Sequence, residues 1–243
     1  MISERDVSEK FSVIWKQNFP LLNSNFIRVF NNTQIEIINN NHIDSIDGVR
    51  YDLISEAGFN LAEMAVIYKI DIVDFLSLNE NVSLLISRTA KSIWKSGNYV
   101  SKDLEVSDIE KDQMIKIAYN IIEFINKNNG KVIFFRPKLK GYGFIPDLEG
   151  DLLIDDTLYE LKTVNRNFKS SDLKQLFIYL ALKQVSDKKC WKYGGLYNPR
   201  KGVYCKFNVK NLVYNLSGGI TTNEVFENLL NGLVRDVEVD SKF

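Results

Sequence analysis

Histidine and cysteine are almost absent from this chain, and their scarcity removes several classes of chemistry. His42 is the only histidine, and Cys190 and Cys205 are the only cysteines among 243 residues. A Ser-His-Asp triad, a Cys-His pair or an HExxH zinc site would each need His42, and no GxSxG, HExxH or GxxxxGK[ST] pattern occurs. Two separated cysteines are too few for a four-thiolate zinc or iron–sulfur site, so we expect reduced thiols. Carboxylate, lysine and metal chemistry remain.

Long apolar runs are also absent. No stretch approaches the roughly 18–20 apolar residues that cross a bilayer, and the start, Met-Ile-Ser-Glu-Arg-Asp, is charged and unlike a signal peptide. Hydrophobic residues make up 45% and charged residues 26%, as in soluble globular proteins. We therefore expect a cytoplasmic protein without a membrane partner, folded as one large domain or two small ones.

Net charge is zero, but the charges are unevenly distributed along the chain. Residues 1–130 carry 13 basic and 18 acidic side chains, whereas residues 131–243 carry 18 basic and 13 acidic ones. Within 166–210, 11 Lys or Arg residues stand against only Asp172 and Asp187. This bias favours a polyanionic partner for the C-terminal half, although a solvated lysine-rich surface would give the same count.

Apolar spacing predicts a mainly helical first part of the chain. Helical periodicity occurs in 5–19, 51–69, 84–97 and 107–126. The stretch 61–76 resembles a helix-turn-helix, but its turn lacks glycine and its second helix lacks Arg, Asn and Gln, so buried helix packing is favoured. We place a soft boundary between a mainly helical region of unknown role, 1–105, and a second domain, 106–243.

The most informative stretch is 143–164, which reads GFIPDLEGDLLIDDTLYELKTV. Two apolar runs flank the turn-forming residues 155–157, and this pattern predicts a hairpin. Strand side chains alternate between faces, so Glu160 and Lys162 share one face. With a turn of two or four residues, we expect Leu153 opposite Glu160 and Asp151 opposite Lys162. A three-residue loop without a bulge would instead point Asp151 away.

Two carboxylates beside a lysine on one strand face favour metal-dependent phosphate chemistry. Like charges that share a buried site need a cation, and Mg²⁺ takes few protein oxygen ligands and keeps several waters. The ion can polarise a phosphoryl oxygen and lower the pKa of a bound water. The lysine can orient that water or stabilise charge on the pentacovalent phosphorus.

These residues resemble a known family. Pro146-Asp147, the acid at Asp151 and the triplet Glu160-Leu-Lys162 are similar to the motif of the PD-(D/E)XK nuclease superfamily. The resemblance covers roughly 107–210. It implies an α/β (α+β) restriction-endonuclease-like fold, with a mixed central sheet flanked by helices and preceded by the mainly helical N-terminal region.

A second motif follows the hairpin. The stretch 172–182 is a predicted helix with a serine N-cap candidate, and it presents Gln175 and Tyr179 on one face. It is similar to the QLxxY motif of RecB-like and Cas4-like members, whose Gln and Tyr position the substrate or the active-site groups. A further hairpin is predicted in 192–209.

The choice among three alternating acids stays open at the sequence level. Asp147, Glu149 and Asp151 have the same strand parity, so alternation alone does not select one of them. Asp147 follows the proline, as the family name implies. We favour Asp151 because it heads the apolar strand and has the better spacing to Glu160.

The family resemblance implies roles for these residues. Asp151 and Glu160 would hold Mg²⁺ or Mn²⁺, with the backbone carbonyl of Leu161 as a further ligand. Lys162 would serve the attacking water, and Glu123 on the preceding helix is a weak candidate for assistance.

Contacts with nucleic acid are expected from the basic residues of the C-terminal half, namely Arg166, Lys169, Lys174, Arg200 and Lys201. Three tyrosines could stack on bases, but ordinary packing in a sheet is an equal alternative for Tyr193, Tyr197 and Tyr204. We expect a Mg²⁺-dependent nuclease that cleaves DNA in phage defence, restriction or repair. The alternatives are a non-catalytic nucleic-acid-binding or assembly subunit and an effector activated by a ligand or partner. A homodimer or a separate motor protein is compatible with each.

Overall fold

A computed structural model of the chain describes residues 8–94, 104–188 and 191–240. Its helices are α1 (Ser12–Asn18), α2 (Ser24–Thr33), α3 (Tyr51–Tyr68), α4 (Ile72–Ser77), α5 (Asn79–Ile93), α6 (Asp108–Asn128), α7 (Ser170–Asp187), α8 (Val209–Leu216) and α9 (Thr222–Asp240). Its strands are β1 (Glu36–Ile37), β2 (Ile133–Phe135), β3 (Lys138–Leu139), β4 (Leu148–Glu149), β5 (Leu152–Ile154), β6 (Thr157–Leu161), β7 (Tyr193–Asn198) and β8 (Val203–Asn208). Among the helices described, none has the length and apolar character to cross a bilayer.

Six strands form one mixed sheet in the order β1-β8-β7-β6-β5-β2. β6 and β7 are parallel, whereas the other neighbouring pairs of this sheet are antiparallel. A parallel pair needs a crossover connection, and α7 supplies it directly after β6. The fold is therefore a mixed α/β arrangement with helices flanking the sheet, in agreement with the broad class that the sequence predicts.

Both faces of the sheet are covered by helices. Successive side chains on a strand point to opposite faces, so Leu158 and Tyr159 enter different apolar clusters. Leu158 packs in the cluster that includes residues of α1, α7, α8 and α9. Tyr159 and Tyr197 pack in the cluster formed with α3, α5 and α6, where the ring of Phe124 stacks on Tyr197 at a centroid distance of 4.0 Å. The strands that carry the candidate site are therefore held from both sides.

The first part of the chain packs directly onto this sheet. α3 lies close to α6 at Gly58, where a Cβ atom would be only 2.7 Å from Cγ2 of Ile117. β1 extends the sheet by pairing with β8, with Glu36 opposite Tyr204. Residues on both sides of the predicted boundary near 105 thus contribute to the same apolar cluster.

The predictions for the first part of the chain agree with most of these elements. α1, α3, α5 and α6 confirm the helices that apolar spacing predicts in 5–19, 51–69, 84–97 and 107–126. The predicted ends at 5–7 and 95–97, together with Cys190, lie outside the described residues. The stretch 61–76 forms the end of α3 and then α4, and Ile72 is buried, as expected for helix packing.

The structure also contains the elements that the sequence predicts in the second part. The hairpin predicted in 143–164 is β5–β6, the helix predicted in 172–182 is α7, and the hairpin predicted in 192–209 is β7–β8. The expected serine N-cap of α7 is wrong. Ser170 is the first helical residue, and the carboxylate of Asp172 accepts the backbone N–H of Lys169 at 2.8 Å. A side-chain carboxylate therefore satisfies a free donor at the start of the helix.

The register of the β5–β6 hairpin differs from the prediction. The turn has two residues, Asp155 and Asp156, which is one of the two expected lengths. The pairing expected for that length is wrong, because a two-residue turn places Ile154 opposite Thr157 and Leu153 opposite Leu158, not opposite Glu160. Asp155 adopts a left-handed conformation, with φ of 52°. The shift is two residues, so strand parity is kept, and continuation of the ladder places Asp151 beside Glu160 instead of opposite Lys162.

The close contact of β7 with its neighbours gives a stability prediction. A Cβ at Gly195 would lie 2.4 Å from the Tyr159 ring and 2.6 Å from the carbonyl oxygen of Cys205, whereas a Cβ at Gly194 would come no nearer than 3.1 Å to Phe207. We expect Gly195→Ala to lower the free energy of unfolding by about 2 kcal/mol, and Gly194→Ala to change it by less than about 1 kcal/mol. Urea denaturation measures both, and equal losses would contradict the packing argument.

Candidate active site

The end of β6 carries a buried ion pair. Glu160 has only 3% of its side chain exposed, and Lys162 has 17%. The ammonium group of Lys162 donates to Oε1 of Glu160 at 2.7 Å. Because both residues lie on the same face of one strand, they reach the same space beside the sheet.

Asp151 joins this pair from the start of β5. Its Oδ2 accepts the backbone N–H of Leu161 at 2.6 Å, and its backbone carbonyl accepts the N–H of Arg136 at 3.0 Å. The carboxyl groups of Asp151 and Glu160 lie close enough for each to affect the pKa of the other. The hairpin therefore brings two acids and one lysine together.

Two residues of α7 extend the hydrogen-bond network. Lys162 donates to Oε1 of Gln175 at 2.6 Å, and Nε2 of Gln175 donates to the hydroxyl of Tyr179 at 3.0 Å. Tyr179 is buried, with 2% exposed. A chain of hydrogen bonds thus runs from the helix core to the carboxylate of Glu160 and fixes the position of the lysine.

The start of α7 is fixed by a second ion pair. Asp172 is buried and accepts two hydrogen bonds from the guanidinium group of Arg166, at 2.6 and 2.9 Å. Paired donors of this kind hold a carboxylate in one orientation. The loop between β6 and α7 is also held by Asn198, whose amide donates to the carbonyl of Val164 at 2.7 Å.

Burial changes the protonation of the acids. Burial, with the nearby charge of Asp151, raises the pKa of Glu160 to about 8, although Lys162 opposes the shift. Burial also raises the pKa of Asp151, against the N–H of Leu161 and the charge of Lys162. The carboxylates outweigh the effect of burial on Lys162 and raise its pKa. One ammonium group therefore faces two carboxyl groups, and the second negative charge needs a proton or a cation.

The geometry fits a hard divalent cation. Oε2 of Glu160 is buried and has no hydrogen-bond partner, and the carboxyl group of Glu160 is close enough to Asp151 for the two charges to interact. No group of three or more Asp, Glu, His or Cys side chains suited to a metal occurs in the described part of the chain. A cation here would have Asp151, Glu160, the carbonyl of Leu161 and water as ligands, which matches the sparse protein ligation of Mg²⁺.

A cleft of about 370 Å³ opens beside these residues. Asp151 and Leu161 line one wall, and Ser55 and Glu56 of α3 line the other. The charge of Glu56 contributes to the raised pKa of Asp151, after burial. Glu56 is held by Arg136, with Nη2 and Oε1 2.8 Å apart. Glu56 cannot be identified from the sequence, because nothing in its local pattern shows that α3 reaches β5.

The other acids considered lie elsewhere. Asp147 is exposed and accepts the N–H of Gly141 at 2.8 Å, while Glu149 is exposed in β4. Glu123 is the helix glutamate expected to assist, but its carboxylate accepts from Asn39 at 2.7 Å and pairs with Lys127 at 3.3 Å. Of the three alternating acids, Asp151 is the one beside Glu160.

The five basic residues expected to contact nucleic acid have different surroundings. The prediction is wrong for Arg200, because only 1% of this residue is exposed. Its guanidinium group donates to Gln113 at 2.7 Å and lies over the ring of Tyr51. Lys201 donates to Asn167 at 2.7 Å. Lys169 is exposed, Lys174 is half-buried and Arg166 pairs with Asp172, as described above.

The three tyrosines are held by neighbouring side chains. Tyr197 is buried and donates to the carbonyl of Asn120 at 2.6 Å. The hydroxyl of Tyr204 donates to Glu36 at 2.6 Å. Tyr193 has the ammonium group of Lys206 4.7 Å from its ring centroid. These contacts favour packing over base stacking for Tyr197 in particular.

The raised pKa of Glu160 gives a pH prediction for the metal-free protein. Burial and the charge of Asp151 raise the pKa of this carboxyl group to about 8 in the folded chain, from an ordinary value of 4.5. Its stabilising contribution is complete below pH 4.5 and is lost as the pH rises through about 8. In EDTA, Glu160→Gln should flatten the decline of unfolding free energy over this range. Asp147→Asn, which removes an exposed carboxyl group, should keep the wild-type slope, and an unchanged slope in Glu160→Gln would contradict the assignment.

Known proteins provide no further identification. Comparisons of the chain with models of protein families, with curated proteins and with solved structures found no match. The arrangement of Asp151, Glu160 and Lys162, with Gln175 and Tyr179 behind them, is therefore the basis for assigning a function.

Proposed function

We propose that this chain is a divalent-metal-dependent nuclease with a restriction-endonuclease-like fold of the PD-(D/E)XK type. The observation that carries the proposal is the buried pair of Asp151 and Glu160, with an unpartnered Oε2 on Glu160, beside the ammonium group of Lys162. The crossover from β6 through α7 to β7 supports it, because Gln175 and Tyr179 then stand directly behind the lysine.

Each residue has a task in phosphodiester hydrolysis. Asp151 and Glu160 would hold Mg²⁺ or Mn²⁺, and the ion would supply Lewis acidity to the phosphoryl group and to a bound water. Lys162 orients the attacking water or stabilises the negative charge on the phosphoryl oxygens as the water oxygen bonds to phosphorus and the ester oxygen leaves. Gln175 fixes the direction of the ammonium group, and Tyr179 fixes Gln175.

DNA is the proposed substrate, with phage defence, restriction or repair as the setting. A homodimer and an activating partner both fit this proposal. The N-terminal helices bear on activation, because Ser55 and Glu56 of α3 line the cleft beside Asp151. A ligand or partner that moved α3 would change the charge next to the metal ligands.

Metal binding can be measured without any substrate. At pH 7, Glu160 must lose its proton before it can ligate a cation, because its pKa is about 8. We expect Mn²⁺ titration calorimetry to show one site and proton release, detected as a dependence of the enthalpy on the ionisation heat of the buffer. Asp151→Asn should abolish binding, while Asp147→Asn should bind as the wild type does. Equal Mn²⁺ affinity in these two variants would rule out the assigned ligands.

The activity test uses single- and double-stranded DNA and RNA with Mg²⁺ or Mn²⁺. Cleavage should stop in EDTA and fall by at least about 100-fold in Asp151→Asn, Glu160→Gln and Lys162→Met. Asp147→Asn serves as the matched control and should keep wild-type activity. Salt-dependent binding without cleavage under all conditions would favour a non-catalytic nucleic-acid-binding subunit, and cleavage only after addition of a cell extract would favour a regulated effector.

A further inference from the structure

A second cleft, of about 440 Å³, lies where α1 and the turn after it meet α7. Its base is aromatic: Trp15 and Phe19 are each 2% exposed, and Phe19 stacks on Phe177 of α7 at 4.8 Å. Its charge comes from Lys174 of α7 and from the exposed Lys16 of α1. No acidic residue lines it among the described residues. The cleft therefore combines apolar walls with positive charge only.

Lys174 occupies an unusual position in this cleft. Its ammonium group lies 5.3 Å from the ring centroid of Trp15, and no carboxylate in the described part of the chain is within ion-pairing distance of it. Burial lowers its pKa without a compensating acid. By contrast, Lys183 further along the same helix pairs with Asp187 at 2.7 Å. An anion in the cleft would offset the cost of burying the Lys174 charge.

The position of the cleft indicates which anion would bind. Lys174 directly precedes Gln175, which accepts a hydrogen bond from Lys162 of the candidate active site. The cleft and the active site therefore lie beside the same first turns of α7, whose N-terminal end carries partial positive charge. A strand with one phosphate at Lys162 would have further phosphates available along its backbone for a second cationic contact.

We propose that the cleft between α1 and α7 binds a backbone phosphate of the nucleic-acid strand held at the active site, with Lys174 as its principal cation and Lys16 as its second. The identity of the ligand rests on the proposed nuclease function. The ring of Trp15 lies against the ammonium group and reduces its contact with water. The attraction between ammonium and phosphate is stronger in such a site than at an open surface.

The first test measures binding of a fluorescent single-stranded DNA by anisotropy in EDTA, where no cleavage occurs. Lys174→Gln should weaken binding by about tenfold and reduce the slope of log affinity against log salt by about one. Lys183→Gln removes the same charge from the same helix and should change affinity by less than about twofold. Lys16→Gln combined with Lys174→Gln should weaken binding further. Equal effects of Lys174→Gln and Lys183→Gln would overturn the proposal.

A second measurement needs no cleavage. Trinitrobenzenesulfonate reacts with uncharged amines, so Lys174 should be modified faster than Lys183, as read by mass spectrometry, and pyrophosphate or the oligonucleotide should protect it. If pyrophosphate protected Lys174 but the protein cleaved no nucleic acid, the phosphate site would be supported and the nuclease function would be refuted. If the wild type cleaved nucleic acid, but Lys174 was not protected and Lys174→Gln bound DNA normally, the nuclease function would stand and the phosphate site at Lys174 would be refuted. Matching unfolding midpoints for both variants would show that neither result comes from misfolding.

Discussion

The imbalance of charge at the end of β6 is the constraint on which the rest of the site depends. Asp151 and Glu160 place two carboxyl groups beside one ammonium group, in a space where burial raises the pKa of both acids. Lys162 compensates one negative charge, and the N–H of Leu161 contributes a partial positive charge. The remaining charge can be relieved by a proton or by a cation. A protein that only needed stability would fill this space with apolar side chains, because buried ion pairs gain little over them.

Sheet topology makes this arrangement rigid. The parallel pairing of β6 with β7 continues past the strand, with the N–H of Lys162 donating to the carbonyl of Tyr197 at 2.8 Å. The crossover from β6 to β7 contains α7, in which Gln175 accepts a hydrogen bond from Lys162 and donates one to Tyr179. Since the apolar clusters on both faces bury these strands, the lysine and the two acids have few alternative positions. The proposed nuclease function would use this rigidity, because groups that stabilise a transition state must be held in place beforehand.

Sequence reasoning predicted the parity of the hairpin but not its register. Alternation placed Asp151 and Glu160 on one face for either even turn length. The expected pairing of Leu153 with Glu160 holds only for a four-residue turn, whereas the chain forms a two-residue turn in which Asp155 is left-handed. The shared helix face of Gln175 and Tyr179 could be predicted, because it depends only on the four-residue spacing within one helix. Glu56 and Arg200 could not, since their positions follow from tertiary packing: one helix crosses to the site, and one guanidinium group is buried against Tyr51 and Gln113.

The mainly helical N-terminal part of the chain is integral to both clefts. α3 lines the cleft beside Asp151, and α1 forms the floor of the cleft at Lys174. Arg136 connects α3 to the acids, because its guanidinium group pairs with Glu56 while its backbone N–H donates to the carbonyl of Asp151. A displacement of α3 would therefore alter the charge beside Asp151 and the hydrogen bond that holds its backbone. In the proposed nuclease, a nucleic-acid strand that entered between α3 and β6 would meet residues from both parts of the chain. The charge of Glu56 in the first part would then act on the metal ligands of the second part.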